Sequence, residues 1–111
     1  MYRVRELLDD AGRSPYRNWL SRLDVTARAR IQARILRFEA GNLGDSKQVG
    51  EGVWEARMDI GPGYRVYFAR EGREVILLVL GGDKSSQNKD IAQAKKYWAA
   101  YKKEHKRGKA K

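Results

Sequence analysis

One run constrains the fold more than any other. Val75–Leu80, VILLVL, is apolar at every position. A solvent-facing helix or a half-solvated strand would break such a run with polar residues, so it reads as a central strand covered on both faces. The preceding segment alternates with a period of two. Tyr64, Val66 and Phe68 share one face, while Arg65, Tyr67 and Ala69 share the other. Glu71-Gly72 closes a short hairpin between the two strands, and Gly61-Pro62-Gly63 turns the chain before them. One strand earlier, Trp54, Ala56, Met58 and Ile60 point one way, with Val53, Glu55, Arg57 and Asp59 opposite.

Helical signals flank this sheet. Tyr2-Val4 alternate with arginines, as in a short edge strand. Ser14-Pro15 reads as an N-cap followed by proline at the first helical position, with Tyr16, Trp19, Leu20 and Leu23 inward. Asp24 caps a second helix, Val25–Ala40, stopped by Gly41-Asn42. Ala27, Ile31, Ile35 and Phe38 form one apolar face of it, and Val25, Ala29, Ala33 and Leu36 a second, as expected of a helix sandwiched between sheet and first helix. Asn42–Gly52 reads as a turn-rich loop carrying Lys47. A last helix spans about Asn88–Glu104, with Ile91, Ala94, Trp98 and Tyr101 as its stripe and Asn88 or Asp90 as its cap. The order strand–helix–helix–strand–strand–strand–helix predicts an α+β fold, helices on one face of a mostly antiparallel sheet.

A chain of 111 residues suits one domain. Residues 1–104 are expected to form it, with 105–111 a basic, disordered tail. There is no cysteine, which excludes disulfides and thiolate metal sites and suggests an intracellular, cytoplasmic protein. No apolar run is long enough to span a membrane. The formal net charge of +10 calls for a polyanionic partner, nucleic acid or an acidic protein.

The only histidine, His105, lies in the basic tail, so neither a zinc site nor a histidine-activated nucleophile can be assembled, and no cofactor or metal is implied. What remains is cationic. Arg57 and Arg65, on neighbouring strands, project from one side next to Tyr67; Lys84 follows the central strand and Lys47 approaches from the loop. Guanidinium forks bind phosphate oxygens, while Lys and Tyr can move protons when neighbouring cations lower their pKa. The group suits metal-free RNA cleavage, in which the ribose 2′-hydroxyl is the nucleophile. Tyr67 can instead stack on a base. A plainer alternative pairs Arg57 and Arg65 with Glu55 and Asp59 as cross-strand ion pairs. Likewise Arg30, Arg34 and Arg37 form a basic stripe that is either a solvated edge or a contact for RNA or an acidic partner.

The runs GPGYRVYF and GGDKSSQNKDI, with Trp19-Leu20 and ARARIQARILRFEAGNLGDSKQVGEGVWEAR upstream, resemble the addiction-module killer proteins, HigB-like members of the RelE/ParE toxin superfamily. The resemblance covers roughly Tyr16 to Trp98. It implies a RelE-like fold, an antiparallel sheet with two N-terminal helices and a C-terminal helix packed on it. It also implies the toxin of a type II toxin–antitoxin module that cuts mRNA in the ribosomal A site without a metal, inhibiting translation. The implied partners are a small helix-turn-helix antitoxin and mRNA on the ribosome with its rRNA, operator DNA being reached only through the antitoxin complex. By position, Arg65 and Lys84 match basic catalytic residues of such toxins, with Arg57 and Lys47 as further basic positions; Gln87 and Asp90 belong to the subgroup's signature. Where relatives place a tyrosine near the start of the final helix, this chain has Ile91, which leaves Tyr67 as the substitute for proton transfer. A ParE-like gyrase poison on the same fold, or a non-catalytic nucleic-acid-binding module, are the alternatives.

Overall fold

The computed structural model describes the backbone of residues 1–109 and side chains as far as His105. Five strands, β1 (Arg3–Glu6), β2 (Ser46–Gly50), β3 (Val53–Arg57), β4 (Arg65–Glu71) and β5 (Val75–Gly82), form one sheet in the order β1-β5-β4-β3-β2. β1 pairs parallel to β5; the remaining pairs are antiparallel. Helices α1 (Pro15–Ser21) and α2 (Val25–Glu39) follow β1, and a 3₁₀ turn (Lys84–Ser86) leads from β5 into α3 (Gln87–Lys109). The α+β class and the RelE-like arrangement of elements match expectation.

The caps form as the sequence indicates. The Ser14 and Asp24 side chains accept from the backbone N–H of Arg17 and Ala27 at 2.9 and 2.8 Å. Each such cap stabilises its helix by about 1 kcal/mol. β5 is buried on both faces, as VILLVL requires. Tyr16 and Leu20 of α1 and Ile31, Ile35 and Phe38 of α2 close over Val66, Phe68, Ile76 and Leu78 on one face. Ala94 and Trp98 of α3 close over Val53, Tyr67, Ala69, Leu77 and Val79 on the other. Fully burying one such large apolar side chain is worth about 1.5–3 kcal/mol.

Four expectations are corrected. The helices cover both faces of the sheet, not one, because the face bearing Tyr67 and Ala69 is itself apolar enough to bury under α3. Second, Asn42–Gly52 is not all loop. Ser46–Gly50 is an edge strand whose polar, exposed Lys47 and Gln48 gave no alternating signal. Its two-residue turn to β3 has both residues at positive φ, Glu51 at 53° and Gly52 at 84°, the geometry whose twist suits a hairpin. Third, α2 has one buried face: Val25 and Leu36 are 70% and 65% exposed, and Ala29 and Ala33 are exposed with them. Helices α1 and α2 lie side by side over the same core layer, so nothing covers the outer side of α2 among the described residues. Fourth, neither Asn88 nor Asp90 caps the last helical segment. Both lie inside α3, and Asp83 caps instead the 3₁₀ turn that precedes it, accepting from the Ser85 N–H at 2.8 Å. Helix α3 extends to Lys109, past Glu104 where the sequence places the start of a disordered tail; Ala110 and Lys111 lie outside the described residues.

Candidate functional site

Two rows of side chains cross the α3-covered face where β3 and β4 emerge from beneath the helix. In the first row Lys47, Glu55 and Tyr67 are register partners across β2, β3 and β4. In the second, Arg57, Arg65 and Gly82 are partners across β3, β4 and β5. Partners in one row lie about 5 Å apart and residues two apart on a strand share a face, so both arginines border Glu55 and Tyr67.

Glu55 is the centre of the group. It is fully buried. Its Oε1 accepts from Arg57 Nε at 3.1 Å, and its Oε2 accepts from Tyr67 Oη at 3.2 Å and from Gln87 Nε2 at 2.8 Å. Arg65 Nε adds an ion pair at 3.7 Å. Burial alone would raise the carboxyl pKa and is the largest single influence. The three donated hydrogen bonds and the Arg65 charge together outweigh it, so the pKa is lowered and Glu55 is an anion at neutral pH. The sequence offers little sign of this role beyond a glutamate placed mid-strand between apolar neighbours, VWEAR.

The two arginines differ in what they offer a ligand. Arg57 keeps 41% of its side chain exposed and uses only Nε internally, which leaves its terminal nitrogens for another acceptor. Arg65 is 9% exposed by side chain; its Nη1 donates to Gly63 O at 2.5 Å, and its buried Nε has no hydrogen-bond partner among the described residues. Lys84 is exposed beside the same loop, its backbone N–H donating to Pro62 O at 3.5 Å. The structure therefore brings Arg57, Arg65 and Lys84 to one open end of the sheet. Gln87 joins them as a donor to Glu55, and Lys47 stands exposed at the edge strand, one row away.

The other expected residues do not join. Tyr67 is fully buried under α3 and cannot stack on a base. Burial first, then the Glu55 charge and hydrogen bond, push its phenol well above the ordinary tyrosine value, so it is a fixed donor and not a proton acceptor. Buried and donating to Glu55, its hydroxyl does not fit the proton-transfer role expected of it. The plainer ion-pair reading holds in part: both arginines pair with Glu55, but Asp59 forms no ion pair among the described residues. The stripe Arg30, Arg34 and Arg37 lies on α2, across the sheet from this group. Arg30 and Arg37 are exposed. Arg34 is half-buried and its guanidinium is already engaged. Its Nη1 donates to Arg57 O at 2.8 Å, and its Nη2 to Leu43 O and Asp45 O at 3.2 and 3.4 Å, tying α2 to the entry of β2 and the end of β3. Among the described residues no cluster of His, Asp and Glu that could hold a metal assembles, and no helix is long and apolar enough to cross a membrane.

The model of the phage-derived Gp49-like family (DUF891) matches residues 18–106, which include every residue of the group just described. An uncharacterised protein of Haemophilus influenzae is 51% identical over 79 residues, 70% of this chain and 80% of that one. The chain belongs to the phage-derived Gp49-like family, the family of RelE/HigB-like addiction-module killer proteins.

Proposed function

We propose that the chain is the toxin of a type II toxin–antitoxin module and acts as a ribosome-dependent endoribonuclease that cuts mRNA without a metal. One observation carries the reading. A buried Glu55 carboxylate pairs with two arginines from adjacent strands in register, at an open end of the sheet beside an exposed lysine. A buried carboxylate fixes the guanidinium groups before any ligand arrives, so little reorganisation is needed when phosphate charge develops.

In this mechanism the 2′-hydroxyl releases its proton to solvent water as its oxygen attacks the adjacent phosphorus, and the P–O5′ bond breaks. The products are a 2′,3′-cyclic phosphate and a free 5′-hydroxyl. The terminal nitrogens of Arg57 and the ammonium of Lys84 donate hydrogen bonds to the non-bridging oxygens of the pentavalent phosphorane, with Arg65 supplying a third, mostly buried positive charge behind them. Lys84 is also the exposed acid that can protonate the leaving 5′-oxygen. Glu55 touches none of these atoms and acts through the arginines. The cognate partner is a small helix-turn-helix antitoxin, through which operator DNA is reached; the exposed Arg30 and Arg37 offer an acidic partner complementary charge.

The test is a reconstituted translation reaction with mapping of mRNA ends. Arg57→Ala/Lys84→Ala is the decisive variant, because both side chains are substantially exposed and their loss leaves the core intact. Cleavage should fall by at least about a hundredfold, the scale of losing one preorganised charge contact or more. Undiminished cleavage by a folded double variant would refute the assignment. Growth arrest with continued translation and DNA damage would favour the gyrase-poison alternative.

A further inference from the structure

β1 pairs with β5 only as far as Leu78, yet β5 continues to Gly82. Beyond Leu78 no described strand lies on that edge, and α1 on one face and α3 on the other leave a cleft of about 370 Å³ between them. Two glycines shape it. A methyl group at Gly81 would overlap the Trp19 ring, and one at Gly82 would overlap the Asp90 carboxylate, so both walls close directly on bare backbone. The functional groups facing the cleft are Asn18, Trp19 and Arg22 from α1, Asp83 at the strand exit, and Asp90 and Tyr97 from α3. Asn18 and Arg22 are exposed; the two aromatic rings are half-buried.

The position of the cleft links it to the cationic group. Gly82 is the register partner of Arg65, so the cleft lies one strand beyond the second arginine in the row. The 3₁₀ turn separates the two. Lys84 at its start stands by the loop of Pro62 and Gly63, and Ser86 at its end lines the cleft, donating to Asp90 Oδ2 at 2.5 Å. The other carboxylate oxygen, Asp90 Oδ1, makes no side-chain hydrogen bond among the described residues.

The chemistry of the cleft differs from that of its surroundings. On a chain of net charge +10 it presents two carboxylates, which repel phosphate, together with two aromatic rings, an amide and one guanidinium. Carboxylates accept from exocyclic amines and ring N–H groups, aromatic rings stack on bases, and an amide or guanidinium donates to base carbonyls and ring nitrogens. We propose that this cleft is a nucleobase pocket, taking an unstacked base next to the phosphate held by Arg57, Arg65 and Lys84 and favouring the amino-bearing bases over uracil. Uracil turns two carbonyls towards the carboxylates and offers a single N–H. The inference rests on the RNA-cleaving reading and assigns part of its sequence preference to Asn18, Arg22 and Asp90.

The experiment follows the Trp19 indole and Asn18 amide signals of ¹⁵N-labelled full-length protein by NMR during titration with GMP, AMP, CMP, UMP and ribose 5-phosphate. Saturable shifts at Trp19 and Asn18 are expected for the three amino-bearing nucleotides, with UMP about tenfold weaker, on the order of one lost hydrogen-bonded contact. Ribose 5-phosphate should move only signals near Arg57 and Lys84. In Asn18→Ala/Arg22→Ala, whose side chains are exposed, GMP should bind about tenfold more weakly, and mapped cut sites should lose base bias. Shifts confined to the cationic group with every ligand, or unchanged GMP affinity in the double variant, would overturn the pocket. Nucleotide shifts in the cleft without any mRNA cleavage would overturn the nuclease and leave the pocket standing; cleavage without cleft shifts would do the reverse.

Discussion

Replacing Glu55 by glutamine tests the organisation of the site most directly, because it removes one charge and almost no volume. Glutamine keeps a carbonyl for one donor, but its NH₂ faces groups that are themselves donors: Arg57 Nε, Tyr67 Oη, Gln87 Nε2 and Arg65 Nε. Arg57, 41% exposed, can turn to water, so its pair contributes little. Arg65, 9% exposed, cannot. Breaking a buried ion pair from one side costs about 3–5 kcal/mol. With the retained carbonyl and the open Arg57 discounted, Glu55→Gln should lose about 3 kcal/mol, or roughly 12 °C in Tm for a domain of this size. Urea unfolding at pH 7 measures it.

The pH dependence provides the sharper check. The folded-state pKa of Glu55 is lowered, so its contribution is fully present above the unfolded-state value, about 4.3, and is lost as pH falls through the folded value. The wild type should therefore lose stability on acidification while Glu55→Gln is insensitive at this position. The gap between the two proteins should narrow steadily below about pH 4. A loss under about 0.5 kcal/mol at pH 7 would refute the argument, since that is the size of an ordinary surface substitution. So would a gap that stays constant between pH 7 and pH 3.

Tyr67→Phe removes one donor from a buried carboxylate and should cost about 1–2 kcal/mol in unfolding experiments. Its cleavage rate should stay within a few-fold of wild type; a loss above a hundredfold in a folded variant would return the phenol to the chemistry. Arg34→Ala should cost about 2 kcal/mol, because Arg57 O, Leu43 O and Asp45 O all lose their donor. Lysine at position 34 should not restore it, since a single ammonium cannot span carbonyls on two segments as the planar fork does. Arg30→Ala, at an exposed site on the same helix, should stay within about 0.5 kcal/mol, and equal losses at both positions would show that Arg34 does not act as a clamp.

What the sequence discloses and what it hides follow one physical line. Period-two alternation assigned Trp54, Ala56, Tyr64, Val66 and Phe68 to one side of the sheet and Glu55, Arg57, Arg65 and Tyr67 to the other, and both sets hold. Alternation says which side chains share a face; it does not say what covers that face. Charged Arg57 and Arg65 give their side the pattern of a solvent-exposed face, on which Tyr67 would be open and Glu55 merely paired. Yet Val53, Tyr67, Ala69, Leu77 and Val79 make most of that same face apolar, and α3 buries it, leaving only the arginine end in water. The deciding contacts, Gln87 to Glu55 and Arg34 to Arg57 O, join residues 32 and 23 positions apart and leave no local pattern. The same reasoning explains α2. Val25, Ala29, Ala33 and Leu36 have helical spacing whether or not anything packs on them, and whether a face is buried depends on where α1 comes to rest. A periodic pattern thus fixes which side chains are neighbours within an element, whereas the site depends on which elements close over them. For this chain the carboxylate that α3 covers, rather than the most conspicuous cation, is the residue on which the group of charges depends.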